Sequence, residues 1–277
     1  MNTKTLILVL TAAVATSAAF GQAVSWPANN DWNPVTYQGS LYIDPLNQGP
    51  GTDRYATPPS PLGLDLVGGT DSNGNGPFGT AFWGDDGDNL LFRIRLDDEP
   101  VGGQDLSKHV WTVFLNTDQD EDVDWALQLD NKVDSQIELV PAVSGGPNSG
   151  NPWDPVVLGD TPHAGVPLED RYRIINATDL SFLPPDGGSL FNRNGPAEDD
   201  FFLDFAFPWA TFDQIFTDAG LTVPESFGVA FATSANHINI NKDLPEVDGW
   251  GDPIPEPATA TLLGLGAAVF VIRRRRI

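Results

Sequence analysis

The sequence predicts an all-β protein, a single β-sandwich with long loops and one short helix. Apolar residues recur at every second position in one segment after another, which is the period of a half-buried strand. A single segment follows a three- and four-residue spacing instead. The intervals between are rich in Gly, Pro, Asn and Asp, the residues that make turns.

Taken in order, Leu90, Phe92, Ile94 and Leu96 share one face of the first strong strand, and Arg93 and Arg95 are expected on the other. Trp111, Val113 and Leu115 line one face of the next, and Val123, Trp125, Leu127 and Leu129 one face of a third; Trp111 and Trp125 are thereby assigned to the core. Residues 137–140 and 172–175 are shorter candidates. Phe201, Leu203, Phe205 and Phe207 alternate with Phe202, Asp204 and Ala206, while Phe227, Val229 and Phe231 oppose the small Gly228, Ala230 and Ala232. Residues 236–240 would be a last strand. The helix begins at Pro208, carries Trp209, Phe212, Ile215 and Phe216 on one stripe, and closes at Gly220; proline in the first turn and glycine beyond the end suit those positions. Such a helix would lie as a lid on one end of the sheets. Residues 44–77 and 141–167 are expected as long loops. No repeat of fixed period is present.

Charge narrows the functional classes. The 277 residues hold 14 Lys+Arg against 38 Asp+Glu, a net charge of −24. A surface of that sign repels nucleic acid, so no nucleic-acid partner is expected. The chain has no cysteine, which excludes disulfides, a thiol nucleophile and thiolate metal sites.

The two ends read as addresses. Residues 1–23 have the form of a secretory signal peptide: Lys4, an apolar run, and the small-x-small Gly21-Gln22-Ala23 before the cut. Residues 24–241 are the sandwich, and 242–257 an acidic, Pro-containing linker that holds it away from a membrane. Residues 258–277 form an apolar transmembrane helix followed by Arg273, Arg274, Arg275 and Arg276, which stay on the cytoplasmic side. The uncharged stretch 258–272 is about 22 Å as a helix, short for a bilayer core of about 30 Å.

Pro255-Glu256-Pro257, a short apolar helix and a terminal arginine cluster together resemble the PEP-CTERM sorting signal of Gram-negative bacteria. The resemblance implies an exosortase as processing partner, with Pro255, Glu256 and Pro257 as the recognition motif and Arg273 to Arg276 as the stop-transfer cluster. It also implies an inner-membrane-anchored precursor that reaches the cell surface or the extracellular matrix. The strand series 90–96, 110–115 and 123–129, joined by an aspartate-rich turn, is similar to DOMON-like and family-nine-type carbohydrate-binding sandwiches. That similarity implies a jelly-roll-like scaffold that binds a ligand, with sugar favoured over haem because Met1 is the sole methionine.

Candidate chemistry is confined to loops. Asn116, Asp118, Asp120 and Asp122 alternate in a tight turn, and closely spaced oxygen ligands are what Ca²⁺ requires. The segment is no EF-hand: counting from Asp118, Val123 occupies the glycine position and Leu129 the terminal glutamate position. Solvated turn aspartates are the alternative. The clusters 71–76 and 85–89 are similar but poorer in carboxylates. Trp83, beside Asp85 and Asp86, is the expected stacking platform for a sugar ring, with the two carboxylates as its polar flank. His109, His163 and His237 fall in no catalytic or metal-ligand spacing, so the protein is expected not to be an enzyme. The sequence therefore points to a surface or matrix adhesion module directed at polysaccharide or another matrix protein. A secreted hydrolase of exopolysaccharide and a purely structural surface protein are the rival readings.

Overall fold

The computed structural model describes residues 23–28, 31–42, 64, 66–68, 79–97, 99–101, 106–120, 122–133, 135–144, 157–158, 164–176, 200–218, 220–234 and 250–255. The signal peptide, the transmembrane helix with its arginines, and the strand expected at 236–240 lie outside them. Among the described residues no helix is long and apolar enough to cross a membrane.

The strands are β1 (Asn33–Pro34), β2 (Thr36–Tyr37), β3 (Ser40–Leu41), β4 (Ala81–Asp85), β5 (Asn89–Leu96), β6 (Val110–Asn116), β7 (Trp125–Asp130), β8 (Gln136–Ser144), β9 (Val157–Leu158), β10 (Ala164–Pro167), β11 (Tyr172–Asn176), β12 (Phe201–Pro208), β13 (Ser226–Ser234) and β14 (Ile254–Pro255), with helix α1 (Trp209–Asp218) between β12 and β13. One sheet runs β1-β4-β5-β12-β11 and a second β10-β8-β7-β6-β13-β14, with β9 paired to β8 and β2 to β3 as a separate hairpin. The inward faces of the two sheets share a single core. Leu90, Phe92, Ile94, Leu203, Phe205 and Phe207 come from the first sheet, and Trp111, Val113, Leu115, Leu127, Phe227, Val229 and Phe231 from the second. Phe92 meets Phe231 across the gap edge to face, with ring centroids 6.0 Å apart. Each such side chain, fully buried, stabilises the fold by about 1.5–3 kcal/mol.

Trp209, Phe212, Ile215 and Phe216 are the buried residues of α1, the stripe that the spacing predicts. Phe212 lies 5.5 Å from Phe227 and Phe216 5.8 Å from Trp125, so the helix closes one end of the sandwich. Gly220 has φ 72°, the left-handed conformation that ends the helix.

Several expectations are corrected. Arg93 and Arg95 do point away from the main core, yet each is only 1% exposed. The outer face of the first sheet is itself covered: Trp32, Leu91 and Ala206 pack there with Val24, Trp26 and Phe82. The guanidinium of Arg93 lies 4.5 Å from the Trp32 ring and 5.0 Å from the Phe202 ring, and Arg173 lies 4.9 Å from Trp26. Arg93 and Arg173 both bind the buried carboxylate of Asp204. Burial pulls the Arg95 guanidinium down to about 10, Asp200 opposing and Arg93 adding to the shift.

The stretch 141–167 is more than loop, since β8 runs on to Ser144 and β10 folds back on it in the register Val166↔Ile137. Within 44–77, Leu64, Leu66 and Val67 are fully buried and Leu66 bridges to Leu96. Consecutive strands β6, β7 and β8 lie side by side in one sheet as a meander, an order that differs from the alternation of strands between the two sheets of a jelly roll. Residues 250–255, assigned above to a linker, belong to the domain: Ile254 is 1% exposed and β14 pairs with β13 in the register Phe227↔Ile254 and Ser226↔Pro255.

Candidate functional site

The β4–β5 hairpin builds the site. Gly87, with φ 91°, lets the chain reverse, and two aspartates brace the turn from within. Asp85 Oδ1 accepts from the Gly87 amide at 2.7 Å and from the indole N–H of Trp209 at 3.0 Å, tying the turn to α1. Asp86 Oδ1 accepts from the Asp88 and Asn89 amides at 3.0 and 2.7 Å, while its Oδ2 accepts from the Ser25 amide at 2.8 Å. That last bond fastens the N-terminal segment alongside β4. Gly84 gives the segment room, since a Cβ there would lie 3.2 Å from Pro27 Cγ.

Between the segment and the hairpin runs an open groove of about 460 Å³, lined by Ser25, Trp26, Pro27, Asp31, Asn33, Trp83, Gly84, Asp85, Asp86 and Pro255. Trp83 is half-buried on β4, opposite Asn33 on one side and Phe92 on the other. The structure thus brings Trp83, Asp85 and Asp86 together, and adds Trp26, Asp31 and Pro255 from distant parts of the chain. Trp26, like Trp32, Trp153 and Trp250, reads from the sequence only as one of several loop tryptophans that could offer a stacking surface, and Asp31 was not legible as a site residue, because nothing in the local sequence says that the segment folds back onto β4. Of these, Trp153 lies outside the described residues, and Trp32 is buried against the outer face of the first sheet.

The aspartate-rich turn after β6 lies at the same end. Gln119 Nε2 reaches Ser226 Oγ at 3.4 Å, and Ser226 is the residue paired with Pro255. Asn116 is buried, with Oδ1 accepting from the Gln119 amide at 2.7 Å and its amide nitrogen donating to the Asp120 carbonyl. Asp118 Oδ1 accepts from the Asp120 amide and Asp120 Oδ1 from the Asp122 amide, at 3.1 and 2.7 Å. Asp124 Oδ2 accepts from the Thr117 amide and hydroxyl at 2.6 and 2.7 Å. These bonds hold the loop as a chain of Asx turns. Among the described residues no three His, Asp or Glu side chains converge on one point that could hold a metal. Cluster 71–76 lies outside the described residues, while in 85–89 the carboxylates of Asp85 and Asp86 are committed to the turn.

The last described segment, 250–255, lies beside this end. The Gly251 amide donates to the Val229 carbonyl at 2.8 Å, and the Asp252 amide to the Thr36 carbonyl at 2.6 Å. The Asp252 carboxylate accepts from the Thr36 hydroxyl at 2.6 Å and from the Gly39 and Gln38 amides at 2.9 and 3.0 Å. Gln38 and Gly39 have φ 51° and 76°, the paired positive values of a tight hairpin turn whose amides form a small anion cradle. The Thr36 hydroxyl first, then the Gly39 amide, hold the Asp252 carboxyl below the usual carboxylate range.

Residues 253–276 match the PEP-CTERM protein-sorting motif. The PEP-CTERM segment therefore begins inside the folded domain, with Pro253, Ile254 and Pro255 belonging to both. The motif implies an exported, surface-directed protein that is processed by an exosortase. Glu256, Pro257 and the arginine cluster lie outside the described residues. No curated protein and no solved structure matches the chain, so the similarity to DOMON-like and carbohydrate-binding sandwiches finds no support in these comparisons.

Proposed function

We propose that the exported domain is a non-catalytic binding module whose groove between Trp26 and Trp83 takes a polysaccharide chain of the extracellular matrix. The observation that carries this reading is the composition of the groove: indole rings from two separate segments flank an open trough edged by Asp31, Asp85 and Asp86. Flat apolar rings suit the faces of sugar rings, and carboxylates accept from their hydroxyls. A sugar-sized ligand fits an open groove better than a closed pocket would allow, since polymer ends must pass out on both sides.

The non-catalytic part of the proposal rests on how the carboxylates are used. Asp85 and Asp86 are braced by amides and an indole, which suits positioning rather than proton transfer. His109 lies away from the groove, 3.0 Å from the Ser107 hydroxyl and edge-on to Trp111. Calcium would enter only as a stiffener of the neighbouring turn, and to do so it would have to draw together Asp118, Asp120 and Asp122, exposed carboxylates that do not converge in this structure. The committed amide of Asn116 leaves it a strut in that turn.

The test is binding of the exported protein to the exopolysaccharide of the producing cells, with Ca²⁺ and with EDTA, alongside a Trp83→Ala variant. Saturable binding weakened by the substitution supports the groove. Binding that the variant retains in full removes it, and release of reducing sugar replaces the module by a hydrolase. Loss of binding in EDTA alone assigns the aspartate turn a calcium.

A further inference from the structure

The PEP-CTERM segment and the folded domain overlap at residues 253–255, and the overlap is not loose. Ile254 is in the main core, Pro255 is paired with Ser226, and Asp252 is held by the hydroxyl of Thr36 and the amides of the 38–39 turn. Gly251 is packed so closely that a Cβ would stand 2.8 Å from Val35 Cγ1 and 3.0 Å from the Val229 carbonyl. An enzyme that processes a chain must hold it extended and surrounded on both sides of the target bond. A strand paired along one edge with its side chain in a core is not available in that way. Cleavage of such a segment follows the population of its locally opened form.

We propose that β14 is a strap which must peel from β13 before the exosortase can engage the PEP-CTERM segment, and that the Asp252–Thr36 latch sets how often it does. The latch joins the N-terminal hairpin to the last described residues, 216 positions apart in sequence. It forms only when both have folded, so the enzyme meets a motif whose accessibility reports on the domain next to it. Peeling exposes the edge of β13 and the Ile254 site without disturbing the β5–β12 pair at the centre of the other sheet. The strap acts on access to the motif and leaves the chemistry of cutting to the enzyme.

The experiment uses the full chain in membranes that contain its exosortase, with conversion of precursor to product followed in time. Asp252→Ala removes every bond to the 36–39 hairpin made by the carboxylate, and conversion is expected to quicken several-fold. Because that variant can also weaken folding, a second one locks the strap. The natural chain has no cysteine, so Thr36→Cys with Asp252→Cys introduces a single thiol pair where hydroxyl and carboxylate stood 2.6 Å apart. With the pair oxidised, confirmed by blocked thiol labelling, conversion should stop, and reduction should restore it; Thr36→Cys alone should ignore the reductant. Equal conversion of the oxidised and reduced double variant overturns the proposal, as does an unchanged rate for Asp252→Ala.

Discussion

Arg93 and Asp204 stand directly opposite each other on β5 and β12 and close a bidentate ion pair, with Nε 2.7 Å and Nη2 2.8 Å from the two carboxylate oxygens. Both side chains are almost wholly enclosed, and Arg173 Nε adds a third bond to the same carboxylate at 2.7 Å from a partly exposed position. Aspartate is the shared anion, so the three residues are not equivalent.

Asp204→Ala leaves the Arg93 cation enclosed against Trp32 and Phe202 with its counter-charge gone. The expected loss is about 3–5 kcal/mol. Arg173→Ala, by contrast, removes a charge that water already screens, and about 0–1 kcal/mol is expected. Urea unfolding of the two variants checks the order; comparable losses would mean that Arg93 is solvated or has found another partner.

Phe212→Ala empties the centre of the lid, where Phe212 lies 5.6 Å from Trp209, 5.0 Å from Phe216 and 5.5 Å from Phe227. A loss of about 3–5 kcal/mol is expected, together with loss of the near-ultraviolet circular dichroism of the tryptophan. Retained ellipticity with a small stability change would show that the helix is not needed to close the core.

How far the fold was legible follows the length and regularity of its elements. Strands such as β5, β12 and β13, and helix α1, carry enough alternate apolar positions to declare both their type and their inward face. The two-residue strands β1, β2, β3, β9 and β14 have too few positions for any period. Trp83 read as a loop residue because Gly84, Asp85 and Asp86 behind it are turn formers, yet pairing with β5 makes it part of a strand. Burial of Arg93 was hidden for a different reason: its carboxylate lies 111 positions away and its cover comes from Trp32. The linker reading failed at 250–255 because Gly and Pro signal irregular chain as readily when packed as when solvated.

Acidification should loosen the C-terminal strand before it unfolds the domain. The Asp252 carboxyl lies below its unfolded value, so its contribution is complete above about pH 4 and is lost as the pH falls through the folded value. The protection of the Gly251 and Asp252 amides, taken relative to the intrinsic exchange rate at each pH, should hold steady from neutrality to about pH 4 and fall below it. Asp252→Asn should remove the dependence. An identical acid response in that variant would assign it to another group.

Asp213 carries the opposite sign. Partial burial on α1 raises its carboxyl, and Oδ1 has no hydrogen-bond partner among the described residues. The folded state therefore retains its proton longer than the unfolded one, and stability from this group falls as the pH rises through the carboxylate range. Asp213→Asn should raise the melting temperature at pH 7 by a few degrees and change it little at pH 3, a comparison that scanning calorimetry makes directly.

For the groove, Trp83→Ala should weaken polysaccharide binding about tenfold, equivalent to about 1.4 kcal/mol, while Trp111→Ala should act on stability alone. Titration calorimetry with matrix oligosaccharides separates the two. Equal affinity of wild type and Trp83→Ala would move the ligand elsewhere.

Ser25, tied to Asp86, and Pro255, tied to Ser226, line one groove although they lie near opposite ends of the described chain. The first and last described segments therefore meet at a single groove. A domain of that kind can be spliced into a foreign loop, or its ends joined and new ones cut between the exposed Lys132 and Val133, without pulling the sheets apart. In evolutionary terms it is a cassette: it can be carried from one sorting tail to another as a unit, provided that the strand at 254–255 travels with it.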